Sequence, residues 1–178
     1  MPERMEAVEG NMIVLDQAVA TLRLLDDVTY ASGGAPPGVS AVGVHFRHVF
    51  DHYHAFFIGL AAGEIDYDAR ARQVPLETDR ALALATALGF LTDLDRLPAS
   101  LGARQIRVSV RSVAGPAEEP DWSDSTVKRE LQFLVSHTVH HYALMKELLR
   151  RVGVEVGDSF GVAPSTLAAL RRDAACAR

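Results

Sequence analysis

The chain has 178 residues, 48% of them hydrophobic and 23% charged, with a mean hydropathy of +0.07, which suits one globular domain spanning 1–178 with a sizeable core. Its net charge of −5, with acids and bases interspersed, offers no basic stripe to neutralise phosphates and sets nucleic acid aside as a partner. There is no apolar run of about 18 residues, no signal-peptide order in MPERMEAVEG, and no second cysteine to pair with Cys176, so a cytoplasmic, bacterial-type protein is expected.

The first predicted helix covers 11–29, with Met12, Leu15, Val19, Leu22 and Leu25 at steps of three and four and Asn11 as its N-cap. ASGGAPPGV follows as a loop, and Ser40 caps a second helix running to about Ala62. Residues 63–76 read as irregular and polar. Thr78 opens a third helix to about Arg96, which Leu97-Pro98 stops. QIRVSV at 105–110 alternates as a strand does, and GPAEEP after it suggests a hairpin turn. SDST at 123–126 supplies caps for the longest helix, to about Arg151, and Ser165 caps a short terminal one. Four long helices with one β excursion predict an all-α four-helix bundle.

All seven histidines fall in two of these segments: HFRHVFDHYH at 45–54 holds four and HTVHH at 137–141 holds three. With His137 at zero on a wheel of about 100° per residue, His141 lies at about 40° and Glu130 at about 20°, on or beside the stripe of Val127, Leu131, Leu134, Met145, Leu148 and Leu149. His140 falls at the edge of that stripe. The i, i+4 spacing of His137 and His141 lets two imidazoles on successive turns reach one ion. On the second helix the large apolar residues centre about 80° from His45, with His48 at about −60° and His52 at about −20°. Small Ala55, Gly59 and Ala62 share the His48 side, so a cavity is expected there. His54 points nearly opposite, to the surface or a helix contact.

GVHFRHVFDHY on the second helix and HTVHHYAL on the fourth, with IDYDAR at 65–70 and FGVAPSTL at 160–167, resemble the DinB/YfiT-like metal-binding four-helix-bundle superfamily. The likeness spans nearly the whole chain, although only the histidines are chemically specific. It implies a DinB-like bundle in which one histidine of the second helix and an i, i+4 pair of the fourth hold a divalent metal in an open site. A glycine five residues before the second-helix ligand corresponds to Gly43, which points to His48; the pair maps to His137 and His141. His45 and His52 compete for the His48 position. Zinc or nickel is the foremost metal, with iron or manganese behind. Relatives that use a bound thiolate imply a thiol-linked transferase, isomerase or hydrolase and a low-molecular-weight thiol as partner.

Asp51, three residues after His48, and Glu130, two turns before His137, are the carboxylates placed to receive a ligand's second ring N–H. A buried Glu130 also reads as a structural carboxylate partnered by Arg47 or Arg129. His140 and His45 read as cavity-lining or surface groups. Thr138 stands where HExxH requires its glutamate, no Glu-x-x-His pair serves a di-iron bundle, and GxSxG, GxGxxG and P-loop patterns do not occur. Two classes remain: a metal-dependent enzyme with an open coordination position, and a protein that binds metal or a small ligand without turnover. The apolar helix faces suggest a homodimer.

Overall fold

The computed structural model describes residues 4–33, 35–36, 39–114 and 119–176, without the side chain of Cys176. Four long helices, α1 (Glu6–Leu24), α3 (Val42–Ala62), α4 (Arg80–Asp95) and α5 (Val127–Arg151), carry most of it. A short α2 (Asp27–Ser32) follows α1, and α6 (Pro164–Cys176) ends the described chain. Helix α1 packs on α4 and α5, and α3 packs on the same two, so the four close into a ring around one core. That core includes Leu15 and Leu22 of α1, Phe46, Phe50, Tyr53 and Phe56 of α3, Ala83 and Ala87 of α4, and Leu131, Leu134 and Met145 of α5, all with no exposed surface. Burying each large apolar side chain contributes about 1.5–3 kcal/mol. The helical content and the small β element match the expected all-α class.

The start of α1 differs from the sequence reading. The helix begins at Glu6, and Asn11 lies inside it, fully buried. Its Nδ2 donates to the carbonyls of Ala7 (2.7 Å) and Leu131 (2.8 Å), and its Oδ1 accepts from the Tyr53 hydroxyl at 2.7 Å. One side chain thus joins α1, α3 and α5. The long helix expected over 11–29 breaks at Leu25, whose backbone is extended, and restarts where Asp26 accepts from the Thr29 amide at 2.7 Å. The other caps also shift by a residue or so. Ala41 rather than Ser40 precedes α3 without a side-chain cap, Asp79 rather than Thr78 caps α4, and Ser165 lies inside α6. At α5 the capping cluster does its expected work, Thr126 accepting from the Arg129 amide at 3.2 Å.

The β excursion is larger than the sequence suggested. Strand β1 (Glu64–Asp66), in the stretch read as irregular, pairs in parallel with β2 (Gln105–Ser109), Ile65 opposite Val108. Strand β3 (Trp122–Thr126) pairs antiparallel with β2, Ile106 opposite Ser125, which agrees with the hairpin expectation, although residues 115–118 of its turn lie outside the described residues. Three residues with one buried side chain leave too little alternation for β1 to be read.

Two glycines of α3 allow close approach. A Cβ on Gly43 would sit 2.0 Å from the Glu77 carbonyl oxygen, in the 3-10 turn Val74–Glu77. On Gly59 it would sit 2.3 Å from the Glu64 carbonyl oxygen and 2.8 Å from Ile65. Gly59 therefore admits β1 against the helix. It does not open a cavity, and Ala55 beside it is half-buried and packed on the core. Gly63, at φ 80°, ends α3 in the left-handed region and turns the chain straight into β1.

Candidate metal centre

Helices α3 and α5 lie side by side, and each presents two histidines one turn apart. The rings of His48 and His52 from α3 face those of His137 and His141 from α5. His48 lies with ring centroids 5.0 Å from His137 and 4.6 Å from His141, and His52 lies 4.0 Å from His137. One ligand nitrogen each of His48, His52 and His137 falls within 4.8 Å of the others. The closest approach joins His48 Nε2 and His137 Nε2 at 3.1 Å.

The structure thus brings His48 and His137 together as expected and adds His52 to them. His141 is a neighbour of the group, and its Nδ1 lies 3.0 Å from His45 Nδ1. His140 is exposed, its ring 5.2 Å from that of His141. Of the two settings open to His54, surface or helix contact, the structure gives the second, edge-on to Phe90 of α4 at 4.8 Å. His52 is only 4% exposed. It is covered by Tyr67, beyond the end of β1, whose ring stacks on it at 5.5 Å, and by Phe133 at 6.1 Å. Phe133 also stacks on His137 at 5.6 Å.

Proton placement favours metal binding. His52 Nδ1 lies 2.8 Å from the His48 carbonyl, which can only accept, so the proton sits on Nδ1 and Nε2 carries the lone pair a metal would need. Burial pushes His48 down to about 4, with Arg70 and Arg47 adding to the effect. Burial likewise lowers His52 to about 3, His137 to about 2 and His141 to about 3. All four are neutral at pH 7, as ligands must be. In a tetrahedral site with metal–nitrogen bonds near 2.0 Å, ligand nitrogens stand about 3.3 Å apart. The His48–His137 spacing already approximates this, and a ligand nitrogen of His52 lies within 4.8 Å of both. His137 Nδ1 is buried with no hydrogen-bond partner among the described residues. Its second nitrogen is therefore not held as ligand histidines usually are.

Neither carboxylate singled out from the sequence bonds an imidazole. Asp51, 1% exposed, accepts from Arg47 Nη1 at 3.2 Å and from the Gln73 amide at 3.3 Å, so it fastens the segment after β1 to α3. Glu130 accepts from Ser125 Oγ at 2.5 Å, not from Arg47 or Arg129. It lies beside the buried Tyr67 hydroxyl, whose pKa is raised first by burial and then by Glu130. The residues the sequence did not single out are Tyr67, Arg70 and Phe133. IDYDAR and the start of α5 contained them, but nothing in their spacing marks them as neighbours of histidines on α3. A groove of about 540 Å³ lined by Glu6, Gln132, Ser136 and Pro164 lies elsewhere and includes no histidine. The donor chemistry, not the size of that groove, marks the site.

These imidazoles predict an acid-sensitive apoprotein. Their folded pKa values lie below the ordinary 6.5, so on acidification the unfolded chain takes up protons that the folded chain refuses. Stability is retained above pH 6.5 and falls as pH drops from there toward 4. The melting temperature of the metal-free protein, measured in a chelator, should decline steadily between pH 7 and pH 5. A flat profile would show that the histidines are not held neutral.

No family model matches the sequence, and no solved structure matches the fold. A stretch of 108 residues, 61% of this chain, is similar at 28% identity to part of FK506-binding protein 5 of the fungus Rhizopus delemar. The chain spans 28% of the length of that relative. Among the described residues no helix is long and apolar enough to cross a membrane.

Proposed function

We propose that this protein binds one divalent metal ion between α3 and α5 through His48, His52 and His137, with a position left open for a small molecule. The observation that carries this reading is the convergence of three ligand nitrogens within 4.8 Å of one another on a facing helix pair. His141, expected from the sequence as a ligand, stands beside the three, its ring 4.7 Å from that of His137. An all-imidazole donor set suits zinc or nickel better than calcium or magnesium, which prefer oxygen.

Three neutral ligands leave the ion's charge uncompensated, and such an ion lowers the pKa of a bound water or thiol. The resemblance to the DinB/YfiT-like superfamily adds a thiol-linked transferase, isomerase or hydrolase as the finer reading. Passive metal binding is the alternative, and ligand access separates the two. Chelator-stripped protein should take up one equivalent of zinc or nickel in a competition titration, and the loaded protein should then show a thermal shift with low-molecular-weight thiols. Absence of stoichiometric uptake would overturn the metal reading. Uptake without any response to thiols or other small ligands would leave passive binding.

A further inference from the structure

Arg70 contacts the site without an ion-pair partner among the described residues. It lies half-buried just after β1, and its Nη1 approaches His52 Nε2 at 3.2 Å while also donating to the Tyr67 carbonyl. Because the His52 proton is on Nδ1, that contact is a donation from the guanidinium into the Nε2 lone pair. The same lone pair is the one a metal needs. One lone pair serves one partner, so metal binding requires Arg70 to leave His52. The freed cation would then stand beside a dication, with its Nε already buried and unpartnered.

No carboxylate among the described residues forms an ion pair with Arg70, although the charges of Asp51 and Asp68 act on it from nearby. Asp51 holds Arg47 and the Gln73 amide, Glu77 holds Arg47, and Asp68 accepts from the Arg111 amide at 2.6 Å. Asp66 accepts from the amides of Asp68 and Ala69, and Glu130 accepts from Ser125. A half-buried guanidinium next to a metal is costly unless an anion pairs with it. Its planar fork suits a carboxylate.

We infer that Arg70 has two positions: it caps His52 in the metal-free protein, and in the metal-bound protein it receives the carboxylate of a small molecule whose other donor atom occupies the open coordination position. This rests on the metal reading above. It specifies a ligand with a carboxylate a few bonds from a metal-binding atom, and it makes Arg70 a competitor of the metal and a partner of the ligand.

The two roles have opposite signs, which a purely structural arginine would not show. Cobalt(II) serves as the probe metal, read by its visible absorption, in wild-type protein and Arg70→Met, with folding followed by circular dichroism. Arg70→Met should bind cobalt about tenfold more tightly, since a competing donor and a nearby positive charge are gone. The loaded proteins are then titrated with mercaptoacetate and with mercaptoethanol, which share a thiol and differ in the carboxylate. Wild type should favour mercaptoacetate by about tenfold or more, and Arg70→Met should lose most of that preference. A variant that binds cobalt no more tightly and keeps the preference overturns the inference while leaving the metal site intact. Failure of wild type to bind cobalt at all overturns the metal reading and this inference with it. Should Arg70→Met fail to fold, Arg70→Gln is measured in the same way, with the same two outcomes deciding.

Discussion

Replacing His137 by alanine is expected to abolish stoichiometric metal binding, lowering affinity by at least about 100-fold, because losing even an outer-shell partner commonly costs 10–100-fold. His137 is the hub of the cluster. Its Nε2 is 3.1 Å from His48 Nε2, its ring is 4.0 Å from His52 and 4.7 Å from His141, and Phe133 fixes its plane. Without it, only His48 and His52 remain of the close group, both on α3. Competition titration against a chromogenic chelator measures the loss directly. The melting temperature gives a second readout, since a ligand at 100 times its Kd stabilises the folded state by about 2.7 kcal/mol. Wild type should show that metal-dependent rise and His137→Ala should not. His54→Ala, whose ring packs on Phe90 away from the cluster, should keep both the affinity and the rise. Unchanged affinity in His137→Ala would place the metal, if one binds, somewhere else.

The second large effect concerns folding rather than the metal. Asn11→Ala should cost about 2–4 kcal/mol, since it leaves the buried Tyr53 hydroxyl without its acceptor and the Leu131 carbonyl without this donor, and it opens a space in the core. Tyr53 has no exposed surface, so its hydroxyl is out of reach of bulk water in the native packing. Urea denaturation of Asn11→Ala, Tyr53→Phe and the double variant forms a cycle. The two single losses should sum to more than the double, because both remove the same hydrogen bond. A cost for Asn11→Ala below about 0.5 kcal/mol, the range of an ordinary surface change, would show that the network contributes nothing of note.

Asn11 also shows where local pattern misleads. A polar, cap-competent residue just before an apolar periodic run reads as a helix start, and only the positions of Tyr53 and Leu131 reveal it as a buried cross-link between three helices. Gly59 misleads in the same way. Small size is visible in the sequence, but whether a small residue leaves a space or admits another backbone depends on what packs there, and here β1 does.

By itself the sequence determined the helical class, the extent of α3, α4 and α5 to within a few residues, and the confinement of every histidine to α3 and α5. These follow from helical periodicity, turn residues and composition, all of which are local. It also placed His137 and His141 beside the buried stripe of α5, because an i, i+4 pair shares a helix face whatever that helix packs against. The tertiary structure decided which α3 histidines meet them. The angle between His48 and His52 on a wheel is small, and both reach the facing helix once α3 and α5 are set side by side. It decided as well that the chain after β1 returns over the imidazoles with Tyr67 and Arg70, since pairing β1 with β2 joins residues about 40 positions apart. Such a contact rests on long-range strand pairing and loop closure, which leave no periodic mark on the residues that make it.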